Sequence, residues 1–128
     1  MRAVVQRIRD GSVTVEGRIT GEIEKGLLVY LGVGKEDEKK DLDYMIEKVL
    51  GLRIFEDENE KMNLSVMDIG GDLLVVSQFT LYGDARKGKR PSFTDSASPQ
   101  IGEEFYNIFV NEARNLGVKV ATGEFGAH

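Results

Sequence analysis

The chain reads as an α+β domain. The expected architecture is a mixed or antiparallel sheet, curled toward a barrel, with two amphipathic helices packed on it. Three observations predict this class. Strand-like apolar runs outnumber helical ones, β segments open the chain before any helix, and only two stretches carry a helical period. The 128 residues are enough for one domain with a modest core and too few for two.

Ala3 to Ile8 is strand-like. Ser12 to Glu16 alternates Val13 and Val15 with polar neighbours, as a half-buried strand does. Gly17-Arg18 reads as a turn, and Ile19 to Ile23 as the returning arm of a hairpin. Gly26 to Val33 is a continuous apolar run between glycines, so a central strand is expected. Leu42, Met45, Ile46, Val49 and Leu50 then fall at helical spacing, which predicts a helix from about Asp37 to Leu50, closed near Gly51. Leu52 to Phe55 reads as a short strand, Glu56 to Lys61 as a solvated turn, and Leu64 to Ile69 is ambiguous. After Gly70-Gly71, the run Leu73 to Leu81 reads as a buried strand, followed by a polar loop from Tyr82 to Ala97. Ser98 supplies an N-cap and Pro99 suits the first position of a second helix. Its expected apolar stripe is Ile101, Phe105, Ile108, Phe109 and Leu116, with Gly117 just past its end. Val118 to Ala121 begins a last strand.

Composition narrows the function. Hydrophobic residues make up 41%, ordinary for a globular fold, and the formal net charge is -5. Any nucleic-acid contact must therefore come from a local patch rather than the whole molecule. There is no cysteine, and the one histidine is His128. Thiolate chemistry, a Ser-His-Asp triad and a multi-histidine metal site are set aside on that ground. No metal and no cofactor is expected. The N-terminus lacks a signal-peptide apolar core and no stretch is long enough to span a bilayer, so a cytoplasmic protein is the default expectation.

The most informative segment is Ser77-Gln78-Phe79-Thr80-Leu81, at the end of the apolar run Leu73 to Val76. Polar side chains at the mouth of a buried strand must be satisfied, and a polar ligand is one way to do so. The plain alternative is a frayed strand end. Strand alternation would put Ser77, Phe79 and Leu81 on one face and Gln78, Thr80 and Tyr82 on the other. Arg86-Lys87-Gly88-Lys89-Arg90 is the densest positive charge in the chain. It is either a solvated loop or a phosphate contact. Gly32-Val33-Gly34-Lys35 fails the phosphate-loop pattern, because Val29 stands where that pattern needs glycine. The run Glu56-Asp57-Glu58 reads as a solvated turn rather than a cation site. Arg7 is either a solvated edge residue or a group that orders a nearby site through its rigid fork.

At this point the chain resembles the D-aminoacyl-tRNA deacylases, also called D-tyrosyl-tRNA(Tyr) deacylases. The matching pieces are Met1-Arg2-Ala3-Val4-Val5-Gln6-Arg7, Leu52-Arg53-Ile54-Phe55 and Ser77-Gln78-Phe79-Thr80-Leu81-Tyr82-Gly83. They continue with Arg90-Pro91-Ser92-Phe93 and Gly123-Glu124-Phe125-Gly126-Ala127. The resemblance implies hydrolysis of the ester joining a D-amino acid to the terminal adenosine of tRNA, with glycyl-tRNA as a further expected substrate. It implies a homodimer with active sites at the subunit interface. It carries the roles of the Ser-Gln-Phe-Thr segment to Ser77, Gln78, Phe79 and Thr80 as catalytic residues. Phe125 and Gly126 are then expected to line the pocket, and Arg7 to steady the chirality-checking loop. Arg86, Lys87, Lys89 and Arg90 are expected to meet tRNA phosphates. The family's second signature, an Asn-x-Gly-Pro-Val-Thr segment, does not occur in the sequence, so residues 1–128 are expected to be a single deacylase domain lacking that C-terminal strand segment.

With no histidine near Thr80, the expected chemistry needs no protein base. The ester is already activated, and the protein would orient it and stabilise the oxyanion through backbone N–H groups near Phe79 and Thr80 and the Gln78 amide. Thr80 as a covalent nucleophile is the competing account. Two other classes compete with the enzyme: a non-catalytic RNA-binding module and a small structural dimer.

Overall fold

The computed structural model describes residues 1–9, 11–15, 17–86 and 88–123. The strands are β1 (Arg2–Ile8), β2 (Gly11–Val15), β3 (Arg18–Ile23), β4 (Gly26–Gly32), β5 (Phe55–Glu56), β6 (Met62–Leu64), β7 (Asp72–Ser77) and β8 (Val120–Thr122). The helices are α1 (Lys39–Gly51) and α2 (Pro99–Asn115), and a 3₁₀ turn spans Phe79–Tyr82.

One mixed sheet organises the molecule, in the order β1-β4-β7-β8. β1 runs antiparallel to β4, while β4, β7 and β8 are parallel to one another. β4 is central because it is apolar along its whole length; Leu27, Val29 and Leu31 are fully buried. Both helices cover the face that carries these residues, joined there by Leu73 and Val75 of β7, Leu42, Ile46 and Val49 of α1, and Phe109 of α2. Each such side chain contributes about 1.5–3 kcal/mol when fully buried.

The α+β class, the mixed sheet and the two helices stand, but the expected curl toward a barrel is wrong. β1 and β8 are the edges of an open four-stranded sheet, and β2–β3 and β5–β6 form separate two-stranded ladders. A barrel needs one continuous ladder with matched stagger around its circumference. Here β3 lies against β7 and β8 without joining their ladder.

Several element ends also differ from expectation. α1 begins at Lys39, not near Asp37, because the Asp37 carboxylate accepts from Gly34 N–H at 2.6 Å and so belongs to the preceding turn. Glu38 N–H instead finds Asp41 Oδ2 at 2.8 Å. The stripe of α2 is rotated: Gly102, Tyr106, Phe109, Val110 and Ala113 are buried, while Ile101 and Leu116 are exposed. Ser98 caps that helix by accepting from Ile101 N–H at 3.3 Å, and Gly117 follows its end with φ +94°. Leu52–Phe55 is not a strand; only Phe55–Glu56 pairs, with β6.

The difference that matters most is at β7. The strand ends at Ser77 instead of running to Leu81. Its last ladder bond is Gln78 N–H to Leu31 C=O, at 2.8 Å. The next carbonyl β7 could have used, that of Val33, accepts from Ala97 N–H at 2.9 Å, and Gly34 bridges to Ser96. Deprived of a partner, the chain folds into the 3₁₀ turn over Gly32.

Candidate active site

The 3₁₀ turn overrides the alternation expected for residues 77 to 82. Ser77 is half-buried at the tip of β7, level with Leu31 and Ala3 on the helix-covered face. Phe79 and Thr80 are exposed, and Tyr82 is buried. The Gln78 side-chain amide donates to the Thr80 hydroxyl. The Thr80 oxygen thus accepts one bond, and its O–H remains available as a donor.

The backbone of this turn is the chemically useful part. Leu81 N–H donates to Gln78 C=O at 3.4 Å and Gly83 N–H to Thr80 C=O at 3.0 Å. No backbone carbonyl among the described residues accepts from Phe79 or Thr80 N–H. These are the first donors of the turn, and a helical start leaves such groups without internal partners. Had the segment continued as a strand, the same groups would have been consumed by a ladder or pointed sideways along it.

Three features hold the turn in place. Gly32 lies directly beneath it: a Cβ there would sit 3.1 Å from Gln78 C=O and 3.2 Å from Leu81 Cβ. The Arg2 guanidinium donates to Leu81 C=O at 2.8 Å and lies 4.5 Å from the centre of the Tyr82 ring. Tyr82 faces Gly34, where an added Cβ would come within 2.8 Å of its hydroxyl oxygen. Burial, reinforced by the nearby Asp37 carboxylate, pushes the Tyr82 hydroxyl up to about 12. Asp37 also pairs with the Met1 amine at 2.7 Å.

The cationic loop starts just beyond. Asp84 and Ser92 exchange both backbone hydrogen bonds, each at 2.7 Å, and so close the loop at its base. Arg86 grips Asp84 with Nη2 to Oδ2 at 2.6 Å and Nε to both carboxylate oxygens at 3.0 Å. That guanidinium, with Arg86 N–H, holds the Asp84 carboxyl down at about 2. Arg86 therefore spends its charge on Asp84, whereas Lys89 and Arg90 are exposed with no ion pair among the described residues. Phe93 follows, with its ring centre 5.1 Å from that of Phe79 at an interplanar angle of 70°.

Of the residues expected from sequence, Gln78, Phe79 and Thr80 come together on the turn, with Ser77 at its root. Arg7 does not join them within one chain. It pairs with Leu27, four positions along from the Leu31 that faces Ser77, or about 13 Å at strand rise. It lines a cleft of about 500 Å³ with Ile8, Arg9, Lys25, Phe55 and Glu56. Phe125, Gly126 and Lys87 lie outside the described residues. Arg2 and Tyr82, which hold the turn in place, and Phe93, which lies beside it, were not singled out from sequence. Phe93 had a readable signal, an isolated aromatic in a polar loop; Arg2 had none. Among the described residues, no group of His, Cys, Asp or Glu is arranged to hold a metal ion, and no helix is long and apolar enough to cross a membrane.

Comparison with known proteins gives this geometry a context. The family model described as D-Tyr-tRNA(Tyr) deacylase matches residues 4–128. A D-aminoacyl-tRNA deacylase of Thermosipho africanus is 61% identical over 128 residues, covering 100% of this chain and 86% of that protein. One from Clostridioides difficile is likewise 61% identical over 128 residues, with the same coverage of 100% and 86%. A solved structure of a c-Myc DNA unwinding element binding protein superimposes with a TM-score of 0.94 at 42% identity, over 100% of this chain and 87% of that one. The 3₁₀ turn thus sits on a fold and a sequence that agree, and the chain belongs to the D-Tyr-tRNA(Tyr) deacylase family.

Proposed function

We propose that the 3₁₀ turn is where this chain hydrolyses the ester of D-aminoacyl-tRNA, releasing the D-amino acid and free tRNA as a proofreading step in translation. Family membership carries the reaction. The observation that carries the site is the pair of N–H groups at Phe79 and Thr80, which have no backbone acceptor among the described residues, beside the exposed Thr80 hydroxyl.

The mechanism follows from these groups. The ester carbonyl sits over the turn, and the Phe79 and Thr80 N–H groups receive the developing oxyanion. A single preorganised donor of this kind is worth roughly 10²–10³ in rate. Water attacks the activated ester, assisted by the adjacent ribose 2′-OH. Thr80 has no base to take its proton, and its oxygen already accepts from Gln78. It donates to the substrate rather than attacking it. Thr80→Ala is therefore expected to keep near-normal turnover of D-Tyr-tRNA; a collapse of turnover together with a trapped acyl-enzyme in wild type would restore the nucleophile.

Stereochemical selection works by excluding a side chain, so it tolerates many D-amino acids and lets glycyl-tRNA through. Hydrolysis of D-Tyr-, D-Asp- and Gly-tRNA, with L-Tyr-tRNA resistant, is the expected pattern. Equal cleavage of D- and L-Tyr-tRNA would end the chiral-filter reading. A binding module without activity would retain tRNA affinity and leave every ester intact.

Two copies are proposed to pair through the sheet face opposite the helices. Val4, Tyr30 and Val76 share one row across β1, β4 and β7; Val4 is 50% exposed and the other two are half-buried. The row ends two residues from Gln78, which supports active sites at the subunit interface. The substrate is a translation intermediate, and the proposed compartment is the cytoplasm.

A further inference from the structure

We propose that Phe93, together with Phe79, forms a stacking platform for the unpaired base that precedes the esterified adenosine of the tRNA acceptor end. The proposal rests on the deacylase reading and names a substrate contact not yet assigned. Phe79 is 56% exposed and Phe93 is 36% exposed, yet their rings touch edge to face. A single exposed aromatic needs no explanation. Two in contact, outside the core, at the rim of the reacting turn, form a local surface of a different kind. An edge-to-face pair also leaves ring surface open for a third planar group.

Phe93 is held ready. The paired backbone bonds between Ser92 and Asp84 fix the residue before it, and Ser96 N–H donates to Phe93 C=O at 3.0 Å. Its ring rests against Gly83, where an added Cβ would lie 3.1 Å away. The loop leading to it brings the exposed cations Lys89 and Arg90, while Arg86 is engaged by Asp84. Aromatic faces beside uncommitted cations are what binds single-stranded nucleic acid: bases stack, phosphates pair, and no sequence is read.

The test compares two substrates with the same ester. D-Tyr-tRNA has the upstream nucleotides; D-tyrosyl-adenosine lacks them. For Phe93→Ala, KM for D-Tyr-tRNA should rise about 5- to 100-fold with kcat nearly unchanged. Kinetics on D-tyrosyl-adenosine should not move. Phe93→Tyr and Phe93→Trp should restore KM, whereas Phe93→Leu, which keeps apolar volume and guards against simple unfolding, should not. An unchanged KM on tRNA, an equal loss on both substrates, or full rescue by leucine would overturn the platform, as would a shift of oligomeric mass in the variant. If wild type cleaves neither substrate, the deacylase reading fails by itself. Binding of uncharged tRNA with and without its last two nucleotides then decides the platform, which requires Phe93→Ala to weaken only the intact form.

Discussion

At the scale of residues, position in the turn matters more than identity. Ser77, Gln78, Phe79 and Thr80 stood out in the sequence because hydroxyls and an amide rarely crowd the end of an apolar run. What sequence could not reveal was which atoms would be left unpaired. That depends on Ala97 N–H reaching Val33 C=O from a distant part of the chain. Arg2 was illegible for a similar reason: its contacts, Leu81 and Tyr82, are some eighty positions away and unrelated to any local pattern. Its role makes a specific expectation. A cation over an aromatic at an exposed site is worth about 0.5–1 kcal/mol. Arg2→Ala should therefore lower the melting temperature by only a few degrees, yet reduce kcat on D-Tyr-tRNA several-fold by loosening the turn. Arg2→Lys should recover little, because an ammonium cannot both donate to the carbonyl and lie flat on the ring. Melting curves beside steady-state kinetics separate the two effects.

Among elements, strand and helix identity was mostly readable and their ends were not. Alternation announced β2, the turn at Gly17-Arg18 announced β3, unbroken apolar character announced β4, and helical spacing announced α1 and α2. Ends are set by competition for hydrogen bonds, which no single segment contains. β7 stops when its partner is taken, and α1 starts late because Asp37 is occupied elsewhere. Gly26 shows how tightly the parallel pairing is fitted: a Cβ there would fall 1.8 Å from Asp72 C=O. Gly26→Ala must push β4 and β7 apart at their first paired residues, at a cost of about 3 kcal/mol or more. Denaturant unfolding should show that loss. Ser98→Ala, which removes a cap and nothing buried, should cost only about 1 kcal/mol.

For the whole molecule, the α+β class followed from the count and order of elements, but the closed sheet did not. Closure is a property of the ladder's two edges, and edge pairing between β1, β3 and β8 is not written in their compositions. The assembled core also makes stability depend on alkaline pH. Tyr106 donates to Val75 C=O at 2.9 Å, and burial raises its hydroxyl to about 12, as it does for Tyr82. In the unfolded chain both would ionise near pH 10. A raised folded value means the stabilisation is complete below about pH 10 and is lost as pH climbs toward 12. The melting temperature should hold steady from pH 7 to 9 and fall from 10 to 12. Tyr106→Phe should melt lower at neutral pH, having lost its hydrogen bond, and fall less steeply in alkali. The proposed pairing through Val4, Tyr30 and Val76 predicts that Val4→Lys shifts the mass in sedimentation from two chains toward one.

The parallel neighbours β4 and β7 have a consequence for biosynthesis. Gly26 must find Asp72, with α1 and the β5–β6 hairpin threaded between them. Closing so long a loop is an entropic obstacle that local contacts cannot relieve. Until the ribosome has extended the chain well past β7, the apolar strand β4 has only β1 to pair with, and its other edge stays open. Chaperone capture and misassociation between nascent chains should be concentrated in that interval, and the 3₁₀ turn cannot take shape until it has passed.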